Sequence, residues 1–562
     1  MVSRSLLLSV VYAYAYAYAS VATAATTFDV REATIDSIHN ALFTGLTTCR
    51  DVVSSYIARI EALNPSLHAV INLNPDALAI ADEMDNQMAL ANATGPLFCI
   101  PILLKDNFDA VGMPTTSGAR PLADLHPLVD APTVTALKRA GGLILGKANM
   151  HEMALEGLSV SSLGGQIVNP YDLTRTPGGS SGGTGVAIAA NLAVFGTGSD
   201  TVNSLRSPAS ANNLFSFRPT RGLISRAGVI PNSYSHDTLG AMARSLKDLA
   251  AALTVMASVG YDPADNTTAF IPPDVLGRDY RSALYGGSLK GKRLGLVQGL
   301  HNYEASNETT PVNEAMAHMV SLLEKAGAHV VNVTSPVYSA TAIISQMDLQ
   351  QLEYRELLDE YLSRDDLAGD FPRSFYEFYG RDDFLVIPAQ YGYMATAWTG
   401  STSNATYFER QRRVQNLTMT LHATFRERGL DALIYPQQKN LVVPIGAPSQ
   451  AGRNGILAAL TGVPVVMVPA GFSPPTETAP LGVPIGMEIM GLPWTEDKLL
   501  NIAQHLSEIA QLRRMPPFAN ASVEVTGPYG SVPTITLDTG NISPKYPLGE
   551  LGRRRCSSIQ AR

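Results

Sequence analysis

Three cysteines in 562 residues, Cys49, Cys99 and Cys556, are too few for a disulfide framework, and their spacing matches no metal site. A single Cys49–Cys99 bridge is open to the chain, but spacing does not decide it. Charge is scarce as well. Only 16% of residues are Asp, Glu, Lys or Arg, and the balance is −8 with an isoelectric point near 5.7, so the basic footprint of a nucleic-acid-binding protein is missing. Beyond the N-terminal segment no apolar run is long enough to cross a bilayer. What remains is a chain that is 45% hydrophobic and long enough to bury a large core, for which a small-molecule substrate is the default expectation.

The N-terminus begins M-V-S-R, continues through a weakly apolar Tyr-Ala repeat, Tyr12 to Ala19, and reaches Ala22-Thr23-Ala24. This is the pattern of a secretory signal peptide cleaved after residue 24, although the tyrosines also fit an uncleaved anchor. Sequons at Asn92, Asn266, Asn307, Asn332, Asn404, Asn416 and Asn520 add to the expectation of a secreted, N-glycosylated protein; one at Asn541 is weakened by Pro544. The expected organisation begins with a signal over 1–24 and ends in a mobile, Pro- and Gly-rich tail over 516–562.

The densest chemistry lies between Thr176 and Thr220. It opens with T-P-G-G-S-S-G-G-T-G, passes an apolar small-residue segment and reaches G-S-D-T-V-N-S-L-R-S-P. Val186 to Phe195 has no polar face and reads as a buried helix, whose ends bring Ser180 or Ser181 near Ser204. The glycines at 178, 179, 182 and 183 allow a sharp turn whose N–H groups suit a developing oxyanion. A flexible linker is seldom wedged between a proline and a buried helix, and a phosphate loop needs a Lys that is missing here. Gly179 to Gly183 also fits the G-x-S-x-G elbow of α/β-hydrolases, but that elbow follows a buried strand, and Asn169 to Pro177 is too polar and proline-broken to be one.

A third group is Lys105, delivered by the apolar run I-P-I-L-L into the interior, where a lowered pKa makes a lysine a base. Together, Lys105, the Gly-Gly-Ser-Ser-Gly-Gly turn and the Ser204 segment closely resemble the amidase signature family. The resemblance runs from about Ala33 to Ile509 and takes in G-K-A-N-M-H-E at 146–152, S-R-A-G-V-I-P at 225–231, His236 to Gly240, and two apolar segments near the end. It implies a serine hydrolase of carboxylic amides with no cofactor and no metal. By the family pattern Ser204 is the nucleophile, Ser180 the proton-relaying serine after a cis peptide, and Lys105 the base. Thr201, Val202, Asn203 and Ser204 would supply oxyanion-hole amides, while Ser181, Asp200 and Arg206 would hold the turns.

The family usually places glycine directly before the nucleophile, where this chain has Val202-Asn203. Any non-proline residue keeps its N–H, but valine tolerates positive φ badly, so a reshaped or lost oxyanion hole is one expectation. A catalytically weak binding scaffold is the alternative this leaves, and an esterase or acyltransferase on the same triad follows if an alcohol or amine intercepts the acyl-enzyme.

The resemblance also implies the fold: α/β, one large domain over 25–515 with a mixed sheet covered by helices, where length alone would suggest several domains. Val52 to Leu63 presents one apolar helical face, Leu97 to Leu104 reads as a strand ending at Lys105, and Thr133 to Ala140 as a helix before the strand Leu143 to Leu145. Arg293 to Val297, Val312 to Ala326 and His329 to Val333 form a βαβ unit. His151-Glu152 begins like a zinc motif, but Leu155 stands where the second histidine belongs. The aromatic-rich stretch Ile343 to Thr399 is either core or the wall of the acyl pocket.

Overall fold

The computed structural model describes residues 28–91, 95–523 and 529–552. The expected signal peptide, the sequon at Asn92 and Cys556 lie outside them. Eleven strands make one sheet: β1 (Val70–Leu73), β2 (Ile100–Lys105), β3 (Gly142–Ala148), β4 (Phe195–Asp200), β5 (Phe215–Arg218), β6 (Thr238–Ala243), β7 (Arg293–Val297), β8 (His329–Val333), β9 (Ala432–Pro436), β10 (Val465–Phe472) and β11 (Pro484–Met490). Their order across the sheet is β1-β3-β2-β4-β6-β5-β10-β11-β9-β7-β8. Parallel pairs β2–β3, β2–β4, β7–β8 and β7–β9 mix with antiparallel ones such as β4–β6 and β10–β11. Strands β2, β3, β4, β6 and β11 are buried at every position, which requires helices on both faces of the sheet. One hydrophobic cluster runs from Val30 to Ala519, so the chain forms a single α/β domain.

The helix Cys49–Leu67 buries Val52, Val53, Tyr56, Ile57, Ile60 and Leu63, the face its spacing predicts. A Cys49–Cys99 disulfide ties its first residue to the lead-in of β2, deciding what spacing left open. That strand starts at Ile100 rather than Leu97, because Cys99 at φ 57° breaks the extended run. The βαβ unit forms over β7, the helix Thr310–Lys325 and β8.

The expected helix over Val186–Phe195 is corrected. The helix is Gly182–Ala189; Asn191 turns the chain at φ 61°, and Phe195 already begins β4. Uniformly apolar sequence carries no periodicity to separate a buried helix from a buried strand.

The C-terminal segment is also corrected, since residues 529–552 are laid along the domain rather than leaving it. Asn541 Oδ1 accepts the Gln166 amide at 2.8 Å and its Nδ2 donates to Gln166 O at 2.9 Å. Tyr546 is buried with Leu158, Val160, Leu385 and Ile387, and Leu548 pairs with Leu385. Its polar composition hid these contacts, because the partners lie hundreds of residues away.

Candidate active site

Lys105 ends β2. Because β2 and β4 are parallel, with Ile102 opposite Phe195, their C-terminal ends meet at one sheet edge, the place where ligands of such sheets bind. There Lys105 Nζ lies 2.8 Å from Ser180 Oγ and 2.8 Å from Ser199 Oγ on β4. The lysine is fully buried, and desolvation pushes its pKa down to about 7 against the opposing pull of Asp200 and Asp237. Asp106, the obvious opposing charge in sequence, is engaged elsewhere. Its Oδ2 accepts from the Thr116 hydroxyl and the Gly118 amide, and its Oδ1 faces Lys147 at 3.8 Å.

Ser180 stands in the glycine-rich turn, after a cis peptide bond to Gly179. Gly178 adopts φ +68°, and a Cβ on Gly183 would lie 2.1 Å from Asn149 O and 2.5 Å from Ala69 O, so the turn is pressed against backbone. The Ser181 amide donates to Ser204 O at 3.3 Å and the Gly183 amide to Asn149 O at 3.0 Å. These two N–H groups therefore fasten the turn, and the reading that aimed them at an oxyanion is corrected. Ser181 Oγ donates to Ser199 O at 3.3 Å.

Ser204 lies in the loop between β4 and the helix Arg206–Ala211, wound around the fully buried Asp200. Asp200 accepts from the Leu205 amide at 3.0 Å, from Arg206 Nε and Nη2 at 3.1 Å each, and from Arg218 Nη1 at 2.7 Å. Burial alone would raise this carboxyl, but the two guanidiniums hold it well below the usual range. Arg206 extends the network to Glu488 on β11 at 2.7 Å and to the carbonyls of Val202 and Gly455. Thr201, Asn203 and Ser204 are buried and Val202 partly so.

Neither Val202 nor Asn203 adopts positive φ, so the valine carries no left-handed strain. Among the described residues the amides of Val202, Asn203 and Ser204 donate to no protein acceptor. Gly455 makes room for the bulkier pair, since a Cβ there would meet Val202 O at 2.4 Å and Asn203 Cβ at 2.5 Å. The Ser204 hydroxyl has no hydrogen bond to the protein among the described residues. The structure thus joins Lys105 to Ser180 directly and Ser180's turn to Ser204 through the backbone.

Ser199, Asn107, Arg218 and Glu488 escaped the sequence reading. Asn107 Nδ2 shares the Ser199 hydroxyl with Lys105 at 3.1 Å. Glu488 did leave a signal, as the lone charge inside the apolar run V-P-I-G-M-E-I-M, and Arg218 stood in F-R-P-T; nothing marked Ser199. From the aromatic-rich stretch, Tyr354, Tyr361, Phe375, Phe378 and Tyr379 pack into a core of their own, and Tyr361 also lines a cavity of ≈ 740 Å³ that opens beside Ser199.

A buried lysine bonded to a serine hydroxyl, with a second serine on the adjoining loop and backbone amides beside it that donate to no protein acceptor among the described residues, is an arrangement in which a neutral lysine can take up a hydroxyl proton. The chain belongs to the amidase signature family, the Amidase family model matching residues 51–500. A probable amidase of Arabidopsis thaliana is 30% identical over 88% of this chain and 93% of that one. A glutamyl-tRNA(Gln) amidotransferase component from Alkalilimnicola ehrlichii is 32% identical over 87% and 99%. The solved structure of peptide amidase from Stenotrophomonas maltophilia is 33% identical and superposes with a TM-score of 0.76, covering 87% of this chain and 99% of that one.

Proposed function

We propose that this protein hydrolyses the C–N bond of carboxylic amides through an acyl-enzyme. Ser204 Oγ attacks the carbonyl carbon; its proton passes by way of Ser180 Oγ to neutral Lys105; the amides of residues 202–204 receive the oxyanion. The proton then returns to the departing amine, and water releases the acyl group by the same route in reverse. The observation that carries this reading is the buried Lys105 Nζ held 2.8 Å from Ser180 Oγ with its pKa near 7, a base half-neutral at physiological pH. The missing Ser204–Ser180 contact closes when substrate is bound, since catalytic hydrogen bonds are often loose in free enzymes.

The test is stoichiometric labelling by a fluorophosphonate together with turnover of neutral amides. Wild type is labelled and Ser204→Ala is not; labelling that survives in Ser204→Ala removes Ser204 as nucleophile. Including hydroxylamine as a competing nucleophile separates hydrolysis from acyl transfer.

We further propose export through the secretory pathway. The Cys49–Cys99 disulfide supports an oxidising compartment, and Asn266, Asn307, Asn332, Asn404, Asn416 and Asn520 are exposed and open to glycans. Expression of the full chain in a secreting eukaryotic host should yield medium-borne protein that loses mass on endoglycosidase treatment; retention of unglycosylated protein inside the cell counts against export.

A further inference from the structure

The cavity beside Ser199 is unequal in charge. Two guanidiniums line it, and both are already neutralised: Arg226 by Asp265 at 2.8 Å, Arg364 by Asp109 at 2.8 Å and Asp366 at 2.7 Å. Asp130 on its rim is paired with Lys138 at 2.7 Å. That leaves two lining carboxylates, Asp237 and Glu360, with no ion-pair partner among the described residues. Asp237 is only 8% exposed; its Oδ2 accepts the amides of Asn232 and Ser233, and its Oδ1 has no hydrogen bond. Arg226 reaches no further than the Asp237 main-chain carbonyl, at 3.5 Å. The rest of the wall is largely apolar, with Val229, Ile230, Leu239, Leu357 and Tyr361. That oxygen is covered in the free protein, and a buried carboxylate oxygen without a donor is costly until a small shift of the wall lets a donor meet it.

We infer that this cavity holds the part of the amide substrate remote from the scissile bond, and that it selects an apolar group bearing a positive charge, received by Asp237 and aided by Glu360. The inference rests on the amidase reading only for the word substrate; the charge selection belongs to the cavity itself. An anionic group entering here would meet guanidiniums already paired to carboxylates and two carboxylates that form no ion pair, Asp237 being attracted only at longer range by Lys105 and Arg226, so discrimination is by repulsion as well as attraction.

Calorimetric binding to the intact wild-type protein tests this with 3-phenylpropylammonium, 3-phenylpropanol and 3-phenylpropionate, three probes of one shape and different charge. The ammonium should bind with a Kd at least about tenfold below that of the carboxylate at low salt. The gap should narrow in Asp237→Asn, and to a lesser degree in Glu360→Gln and Glu360→Lys, which lie on an exposed position and fold even where Asp237→Asn does not. Equal affinities in wild type, or a gap untouched by every variant, overturn the inference. Because none of the probes is an amide, its failure is distinct from failure of catalysis, which turnover of a neutral amide reports separately.

Discussion

Lys105 is where burial becomes chemistry. It can accept a proton only when neutral, and with its pKa lowered to about 7 the acylation rate should rise with pH through that value and level off above it. Pre-steady-state acylation measured from pH 5 to 10 checks this; a flat profile removes Lys105 as the titrating group. Alanine at Ser204 should abolish acylation, and alanine at Ser180 or Lys105 should cost several orders of magnitude, since on the proposed mechanism the three act as a unit. The same burial makes a stability prediction. The folded pKa of Lys105 lies below its unfolded one, so the unfolded state binds more protons between about pH 7 and 10.5, and stability rises with pH across that window. Lys105→Met should therefore raise Tm at pH 6, where the native lysine is charged and buried, and the gain should shrink as pH approaches 10. Val202→Gly with Asn203→Gly should leave the rate unchanged or lower it. Both residues already keep negative φ with their amides unpaired, so glycine adds freedom without adding a donor. A rise toward the 10²–10³-fold attributed to one oxyanion donor would show instead that the native hole is impaired.

At the scale of elements, the Ser180 turn depends on a small hairpin and the hairpin on the C-terminal segment. Ser159 Oγ donates to Gly178 O at 2.6 Å; the Val160 amide donates to His151 Nδ1 at 3.3 Å, and the His151 amide to Ser180 O at 3.0 Å. Residues 160–161 pair with 165–166, and Gln166 Nε2 reaches back to Ser159 O at 3.1 Å. Asn541 closes the outer edge of this hairpin with its two bonds to Gln166. Asn541→Ala should lower stability by roughly 1–3 kcal/mol, because it strips both partners from a sheltered backbone edge. It should also lower kcat more than it raises KM, by about ten- to a hundredfold if the Ser180 turn shifts. Unchanged kcat in a folded variant would confine Asn541 to a structural role. Since the Asn541 carboxamide is occupied on Gln166, this sequon should carry no glycan.

Across the whole molecule, the Cys49–Cys99 bridge closes a loop with a sequence separation of 50, worth about 4 kcal/mol in the chain-entropy model. Cys49→Ser should lower Tm under oxidising conditions while leaving kcat near wild type, because the bridge ties the helix Cys49–Leu67 to the far end of β2 from Lys105; a Tm insensitive to reductant would mean the bridge is not formed. By itself the sequence determined the α/β class, the strand that carries Lys105, the buried face of Cys49–Leu67 and the βαβ unit. Each of these rests on local periodicity, composition or breaker residues within a dozen positions. The resemblance to the family singled out Ser180, Ser204 and Lys105 because a serine pair set between glycine pairs, a lysine after an apolar run and the Ser204 segment occur together at the family's intervals. Only the tertiary structure decided that Ser199 and Asn107 share the lysine's hydrogen bonds, that Asp200 is ringed by Arg206 and Arg218, and that Gly455 yields to Asn203. Those facts depend on which elements lie side by side: Lys105 and Asn107 reach Ser199 across 94 and 92 positions, Arg218 reaches Asp200 across 18, and Arg206 reaches Glu488 across 282, and no local pattern records such pairings. The tail followed the same rule: Asn541 looks like any polar loop residue until Gln166, 375 positions earlier, is brought beside it.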